Sequence, residues 1–268
     1  MKFFAGVALL AVMALAGLVA PWAGEAFEPD LFNRYAAPSA VHWLGTDDLG
    51  RDVLARLLHG ARVSMAVGLG AALLAMLLGT AAGLLAAWRG GLADAVVMRL
   101  ADALLALPAL PLLVVLSAID PGAIGLPRGE AGADILRIAT ILALFGWVGV
   151  ARLARAAALS VLAMDYVRSA RALGVSEGRL LRRHVLPALV PPVAVATALA
   201  VGGAILAESA LSFLGLGIAP PAASWGNMLA GAQEAVFQAP LVALWPGLAI
   251  LLAVLGCSLV ADGVRPSA

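Results

Sequence analysis

Five side chains early in the chain carry the donor atoms of a metal site: His42, Asp47, Asp48, Asp52 and His59. Imidazole nitrogens beside carboxylate oxygens bind divalent cations, so the cluster raises metal chemistry. The same residues have a plainer reading. Thr46-Asp47 forms a natural helix cap ahead of the amphipathic run Leu49, Val53, Leu54, Leu57 and Leu58. Capping and interface packing is the favoured reading, and no metal ligand is assigned. Glu208 is the second candidate. It ends one apolar stretch and precedes another, and an acid at membrane depth is a functional candidate by default. It is either a functional group together with Ser209 and Ser212, on a path or gate if the chain proves to carry a solute across a membrane, or a carboxylate at the outer interface bonded to those serines.

Catalysis finds little support. The chain holds no HExxH and no GxSxG motif. The apolar runs contain serines such as Ser117 and Ser258 but no histidine and no aspartate pair. Lys2 is the only lysine. A phosphate-binding loop needs a lysine after its glycines, so a Walker-type ATP site is not expected here, and any ATP that drives this chain must bind another subunit. Cys257 is the only cysteine, which excludes an internal disulfide and a cysteine-based zinc site. A net charge of +1 gives no general attraction to nucleic acid.

The elements that would position these groups are membrane spans. The chain is 63% hydrophobic and 12% charged, with a mean hydropathy of +1.02. A spanning helix needs about 20 apolar residues. Charge-free runs lie at 3–21, 63–88, 103–119, 138–151, 185–207 and 235–261, which predicts an all-α integral membrane protein of six spans. The fourth run is short, and its helix is expected to continue past Arg152 and Arg155, whose side chains snorkel to the interface. The first run has a second reading as a cleaved signal peptide, with Lys2 before the apolar stretch and small residues over 14–20. Residues 1–60 are expected to hold the first span and an extracytoplasmic segment with a short amphipathic helix. Residues 61–264 hold the rest, with spans near 63–88, 100–119, 135–156, 187–208 and 238–261. With both termini inside, the cytoplasmic side carries eleven basic residues against six outside; Arg128 is counted outside and Arg265 inside. Seven of the eleven lie between spans four and five, so that loop sets the orientation. Gly79-Thr-Ala-Ala-Gly83 is a small-xxx-small pattern that permits close helix approach, although an alanine-rich chain produces such patterns by chance. Pro108, Pro111, Pro240 and Pro246 should kink or end helices. No internal repeat is evident.

The loop at 157–187 holds the run VRSARALGVSEGRLLRRHVLP, with five arginines and one glutamate in an otherwise apolar chain. Residues 166–173 suit two helical turns, with Ala170 and Leu173 on one face. Gly174 permits a positive φ. Ser176 is a fair N-cap for a second helix over 177–185, with a stop near Pro187. Topology and contact with anionic headgroups explain the charge. They do not explain a helix–glycine–helix shape with an apolar face, which favours docking of a cytoplasmic partner. His184 reads as a packing residue of this loop.

Here the sequence resembles the membrane subunits of ABC importers, whose loop signature is EAA, three residues, glycine and a later H-x-LP. This chain has Arg168-Ser169-Ala170, then Arg171-Ala172-Leu173, then Gly174, and His184-Val185-Leu186-Pro187. It is similar in particular to the C-type permeases of the dipeptide/oligopeptide/nickel family. HWLGTDDLGRDVLAR at 42–56, GAILAESALSFLGLG at 203–217 with Pro220-Pro221 and Ser224-Trp225-Gly226 after it, and QAPLVALWPGLA at 238–249 carry that similarity.

The resemblance implies a type I importer transmembrane domain in the bacterial inner membrane, forming half of a pathway for a peptide-like solute or a nickel chelate. It implies a homologous B-type permease partner, an extracytoplasmic solute-binding protein, and two ATPase subunits that hold ATP and Mg. The docking residues would be Arg168, Ser169, Ala170, Leu173, Gly174, His184, Leu186 and Pro187, and the chain itself would bind no cofactor. One departure matters: Arg168 stands where the family has glutamate, and Ser169 where it has alanine. A reversed charge requires a matching acid on the ATPase or a place against lipid headgroups. A proton-coupled carrier using Glu208 and an intramembrane enzyme are the competing readings.

Overall fold

The computed structural model describes residues 1–22, 26–119, 122, 125 and 130–264. Asp120, Arg128 and Arg265, used above to bound spans and to count charges, lie outside these. The described residues are helical, with a single antiparallel bridge between Thr46 and Asp52. In chain order the helices are α1 (Lys2–Val19), α2 (Val53–Arg89), α3 (Gly91–Ala106), α4 (Ala109–Ser117), α5 (Ala131–Leu162), α6 (Asp165–Ala172), α7 (Glu177–Leu180), α8 (Leu186–Phe213), α9 (Trp225–Gly231) and α10 (Leu241–Val264). Five stretches are long and apolar enough to cross a membrane: Lys2–Trp22, Val53–Arg89, Ala131–Leu162, Glu177–Phe213 and Leu241–Val264. The pair α3 and α4, bent by 88°, is a broken span or a re-entrant loop, so the described residues hold five or six crossings.

That bend departs from the single third span expected over 100–119, and proline sterics account for it. A residue before proline is driven out of the helical region. Leu107 sits at φ −86°, ψ 140°, and Pro108 follows it as the residue before α4. The helix also begins earlier than its charge-free run, at Gly91, and so carries Asp94, Arg99 and Asp102. Those acids are matched. Arg155 of α5 binds Asp94, and Arg152 binds Asp102. The two arginines therefore pair with α3 instead of snorkelling free, because α3 returns alongside the same end of α5.

The amphipathic run over 49–58 is not a separate helix. It merges into α2, whose 37 residues span about 55 Å. Asp52 is the cap, accepting from Ala55 N at 2.8 Å. Asp47 closes the turn before it, accepting from the N–H of Leu49 and Arg51 at 2.9 Å each. Gly50, at φ +76°, reverses the chain between the two aspartates. The helix can begin only after that turn, so the Thr46-Asp47 cap expected from sequence falls one turn early.

Proline also behaves differently at the start of α8. The expected stop near Pro187 is absent, and Glu177–Phe213 runs through it as one stretch. A π turn over Leu181–Val185 makes this possible: Leu186 N–H reaches back five residues to Leu181 O. The wider turn relieves the clash between a proline ring and the carbonyl four residues back. Pro246 is likewise inside α10, while Pro240 stands just before it.

Small residues set the helix spacing. A Cβ on Gly79 would come within 2.5 Å of Trp147 O and 2.7 Å of the Val150 Cβ, and one on Gly83 within 2.9 Å of Arg155 N. The Gly79–Gly83 pattern is thus the seam between α2 and α5. On the other side, Gly6 of α1 lies against Val260 N, and Gly256 of α10 against Leu10, so α1 is seated on α10 as part of the bundle. Gly83→Leu is expected to cost about 1–3 kcal/mol by overpacking and to lower the melting temperature in detergent. Gly247→Ala, with open space at its Cβ position, should leave that temperature unchanged or raise it.

Candidate functional site

Two polar assemblies stand at opposite ends of the bundle, with an apolar groove between them. The first is the loop after α5. Helix α5 ends at Leu162, and α6 starts three residues later at Asp165. Helix α6 is closed by a Schellman motif. Gly174 N–H donates to Arg171 O at 3.0 Å and Val175 N–H to Ala170 O at 3.1 Å. The motif needs a left-handed residue after the helix, and Gly174 has φ +82°. Ser176 precedes α7 in extended conformation, as expected of a cap, but its side chain makes no capping bond.

The loop is fastened from beneath. Val167, Leu180 and Val185 are fully buried against Ala154, Ala158 and Val161 of α5, with Ala170 and Val175 packed on the same cluster. The Tyr166 and His184 rings stand 5.6 Å apart and join α6 to the π turn. Arg171 grips Glu177 with two bonds of 2.6 and 3.1 Å. The glutamate raises the Arg171 guanidinium above its ordinary value, first by hydrogen bonding and then by charge.

What remains outward is a compact face of Arg168, Ser169, Leu173 and Gly174. Leu173 is 85% exposed, whereas Ala170 is half-buried. The two do not share one face as expected. Leu173 is the C-cap at ψ 6°, where the chain leaves the helix and turns the side chain out. Leu186 and Pro187 lie apart from this face, in a groove between α2 and α8. His184 supports the loop through Tyr166. Arg168 is exposed and has no ion-pair partner among the described residues.

The second assembly surrounds Glu208, which is 0% exposed. Ser64 of α2 donates to its Oε2 at 2.9 Å, and Ser212 to its Oε1 at 2.6 Å. Each serine also accepts a backbone bond: Ser64 Oγ from Trp225 N at 3.2 Å, and Ser212 Oγ from Ile218 N at 3.0 Å. A hydroxyl has one proton to donate and lone pairs to accept, so each serine relays the carboxyl group to the backbone of the α8–α9 connection. Ser209 and Ser224 lie beside the same carboxyl. Ser224 and Asn227 cap α9 reciprocally at 3.0 and 3.2 Å. The bond expected with Ser212 is present. Ser64, 144 residues away in sequence, is not among the residues singled out by pattern; its one signal is a lone serine at the head of a charge-free run.

A neighbouring clamp is likewise absent from the sequence expectations. Arg137 of α5 donates to Gly217 O at 3.0 Å and to Ser117 O at 3.3 Å, and pairs with Asp134 at 3.4 Å. Asp134 in turn accepts from Ala219 N at 3.3 Å. The end of α4 and the α8–α9 connection are thereby tied to α5. The i, i+3 acid–base pair on an apolar helix is the sign that points to it.

Between these ends, α2, α4, α5 and α8 enclose an apolar groove of about 660 Å³. Ala71, Leu142, Gly146, Ala200, Gly203 and Ala207 are among its walls. Ala207 faces the groove, whereas Glu208 turns away from it toward α2 and α9. In the segment before α2 and the first turns of that helix, His42 Nδ1 meets Asp52 Oδ2 at 2.9 Å, Asp47 pairs with Arg51 and Arg56 at 2.8 and 3.1 Å, and the His59 ring packs on Phe27 at 4.8 Å. Among the described residues these side chains do not converge as a metal-ligand group.

A family model described as a binding-protein-dependent transport system inner membrane component matches residues 60–266. The glutathione transport system permease protein GsiD of Pectobacterium atrosepticum is 38% identical over 258 residues, covering 96% of this chain and 81% of its own. The dipeptide transport system permease protein DppC of Alkalihalophilus pseudofirmus is 38% identical over 234 residues, covering 87% of this chain and 73% of its own. A chain of the MetNI methionine ABC transporter in an inward-facing conformation aligns with a TM-score of 0.61 over 79% of this chain and 97% of its own, at 16% identity. That last likeness is one of fold. These matches give no support to the proton-coupled carrier or the intramembrane enzyme. The chain belongs to the family of binding-protein-dependent transport system inner membrane components, the permease subunits of ABC importers.

Proposed function

We propose that this chain forms half of the translocation pathway for a peptide-like solute and that a cytoplasmic ATPase grips it at α6. The observation that carries the docking role is the Schellman-closed turn at Gly174. It holds Arg168, Ser169 and Leu173 outward on a knob whose underside is packed on α5. Helix α5 leads into the knob and α8 leads out of it, and both wall the apolar groove. Closure of two ATPase subunits on ATP and Mg would thus act on the groove through rigid elements, which is a coupling between two sites. Ala170 and His184 serve this docking element as supports, with Leu186 and Pro187 at its flank. The exposed guanidinium of Arg168 calls for an acidic residue in the cognate ATPase groove. A homologous permease completes the pathway, and an extracytoplasmic binding protein delivers the solute. The arginine excess in the α5–α8 loop supports cytoplasmic termini. Peptide-like cargo rests on the glutathione and dipeptide permeases to which the chain is similar.

Glu208, Ser209 and Ser212 have a positioning role in this reading. They hold the α8–α9 connection, at the outer end of the groove, against α2, and the carboxyl carries no proton for transport.

Gly174→Val places a β-branched residue at φ +82°, where L-residues lose about 1–2 kcal/mol. The variant should insert normally, yet lose substrate-stimulated ATP hydrolysis when reconstituted with its partners. Gly174→Asn, which tolerates a left-handed backbone, should retain most of it. Unchanged stimulation in the valine variant would sink the docking role.

Glu208→Gln keeps the shape and requires only that one serine hydroxyl turn over, so solute uptake should stay near wild type. Glu208→Leu strands Ser64 and Ser212, at about 1–3 kcal/mol per orphaned buried group, and should lower the melting temperature. Abolished uptake with normal stability in the glutamine variant would restore a direct path or proton role.

A further inference from the structure

Arg179, Arg182 and Arg183 converge on one hollow of about 590 Å³, completed by Ser176 and Gly178. Among the described residues no carboxylate lines it. Arg171 nearby is saturated by Glu177, but these three arginines are exposed and have no ion-pair partner among the described residues. Three unpaired guanidiniums at one site form a receptor for a phosphate group, because each offers fork-shaped donors matched to phosphate oxygens.

A second concavity follows along the same helix. One turn further along the same helix begins an apolar groove of about 720 Å³ between α2 and α8. Met76, Thr80 and Leu84 form one wall, and Pro187, Val190 and Val193 the other. Residues three and four apart share a helix face, so Arg179, Arg183, Pro187 and Val190 make one stripe that is basic at its start and apolar beyond. The stripe changes character where the charge-free run 185–207 begins. Residues 186–193 cover about 11 Å of rise, most of the depth of one leaflet, about half of a 30 Å hydrocarbon core.

We propose that this surface is a binding site for one anionic phospholipid of the cytoplasmic leaflet. The phosphate sits among Arg179, Arg182 and Arg183, and an acyl chain lies in the α2–α8 groove. Zwitterionic lipids also bring a phosphate, but the three guanidiniums repel the ammonium group attached to it, so a net-anionic headgroup is favoured. The site adjoins the docking knob, since Leu180 and Val185 on the same turns are buried under α6. A bound lipid therefore braces the base of the coupling element. This inference rests on the cytoplasmic placement of that loop under the proposed function.

The test uses the assembled transporter, this chain with its partner permease and ATPase subunits, taken from phosphatidylcholine vesicles with and without phosphatidylglycerol. Bound lipid is read by native mass spectrometry. Wild type should retain phosphatidylglycerol in preference to phosphatidylcholine. The triple variant Arg179→Gln, Arg182→Gln, Arg183→Gln should lose that retention by on the order of 100-fold. Val190→Trp, which fills the groove at a 62% exposed position, should lose it as well without altering charge. Both variants should still co-purify with the ATPase subunits. Equal retention of the two lipids by wild type, or retention by either variant, overturns the proposal. So does cross-linking from Val190→Cys to the partner permease in place of lipid, or loss of the ATPase from the triple variant with lipid retention intact. If the wild-type chain itself fails to co-purify with an ATPase, it is the docking role that falls.

Discussion

A bilayer offers no water to a buried polar group, so each such group at membrane depth must find its partner within the protein. That constraint explains why the described spans are helices, and it explains the polar side chains they carry. Glu208 is satisfied by Ser64 and Ser212. Asp94 and Asp102 are satisfied by Arg155 and Arg152. Arg137 is shared between Asp134 and two carbonyls. In each case at least one of the partners comes from an element other than the helix that carries the charge. The polar residues are therefore the fasteners between helices, and they stand where the bundle must be held in register.

The apolar surfaces work by a different rule. Lipid tails are as apolar as leucine, so burial alone does not draw helices together, and close packing of small residues does. Gly79 and Gly83 bring α2 onto α5, and Gly6 and Gly256 bring α1 onto α10. The wall of the central groove is built from the same residue types, including Ala71, Gly146 and Gly203. Where small residues meet another backbone they make a seam, and where they meet none they leave a groove. The docking knob extends this frame, because α5 leads into it and the π turn leads out of it into α8 without a flexible break.

Several features are legible in the amino-acid chain alone. Runs of apolar residues mark the spans because hydropathy is summed locally. Gly174 marks the turn after α6 because only glycine takes φ +82° at little cost. The break at Pro108 is a steric effect between adjacent residues. Other local signals mislead because a distant element changes their setting. Pro187 reads as a stop, but a π turn accommodates it. Arg152 and Arg155 read as snorkelling charges, but α3 lies within reach. Thr46-Asp47 reads as a cap, but the turn at Gly50 delays the helix to Asp52.

Hydropathy, charge and backbone sterics within a few residues thus suffice for the all-helical membrane class, for the approximate place of the long apolar helices, and for the glycine turn after α6. The packed bundle was needed to learn which helices touch, that Glu208 faces Ser64 and away from the groove, and that α2 and α8 enclose an apolar cleft between them. Such facts arise from residues separated by scores of positions, as Ser64 and Glu208 are by 144. No local pattern encodes them, because the partner that satisfies a buried group is chosen by the packing of the whole bundle.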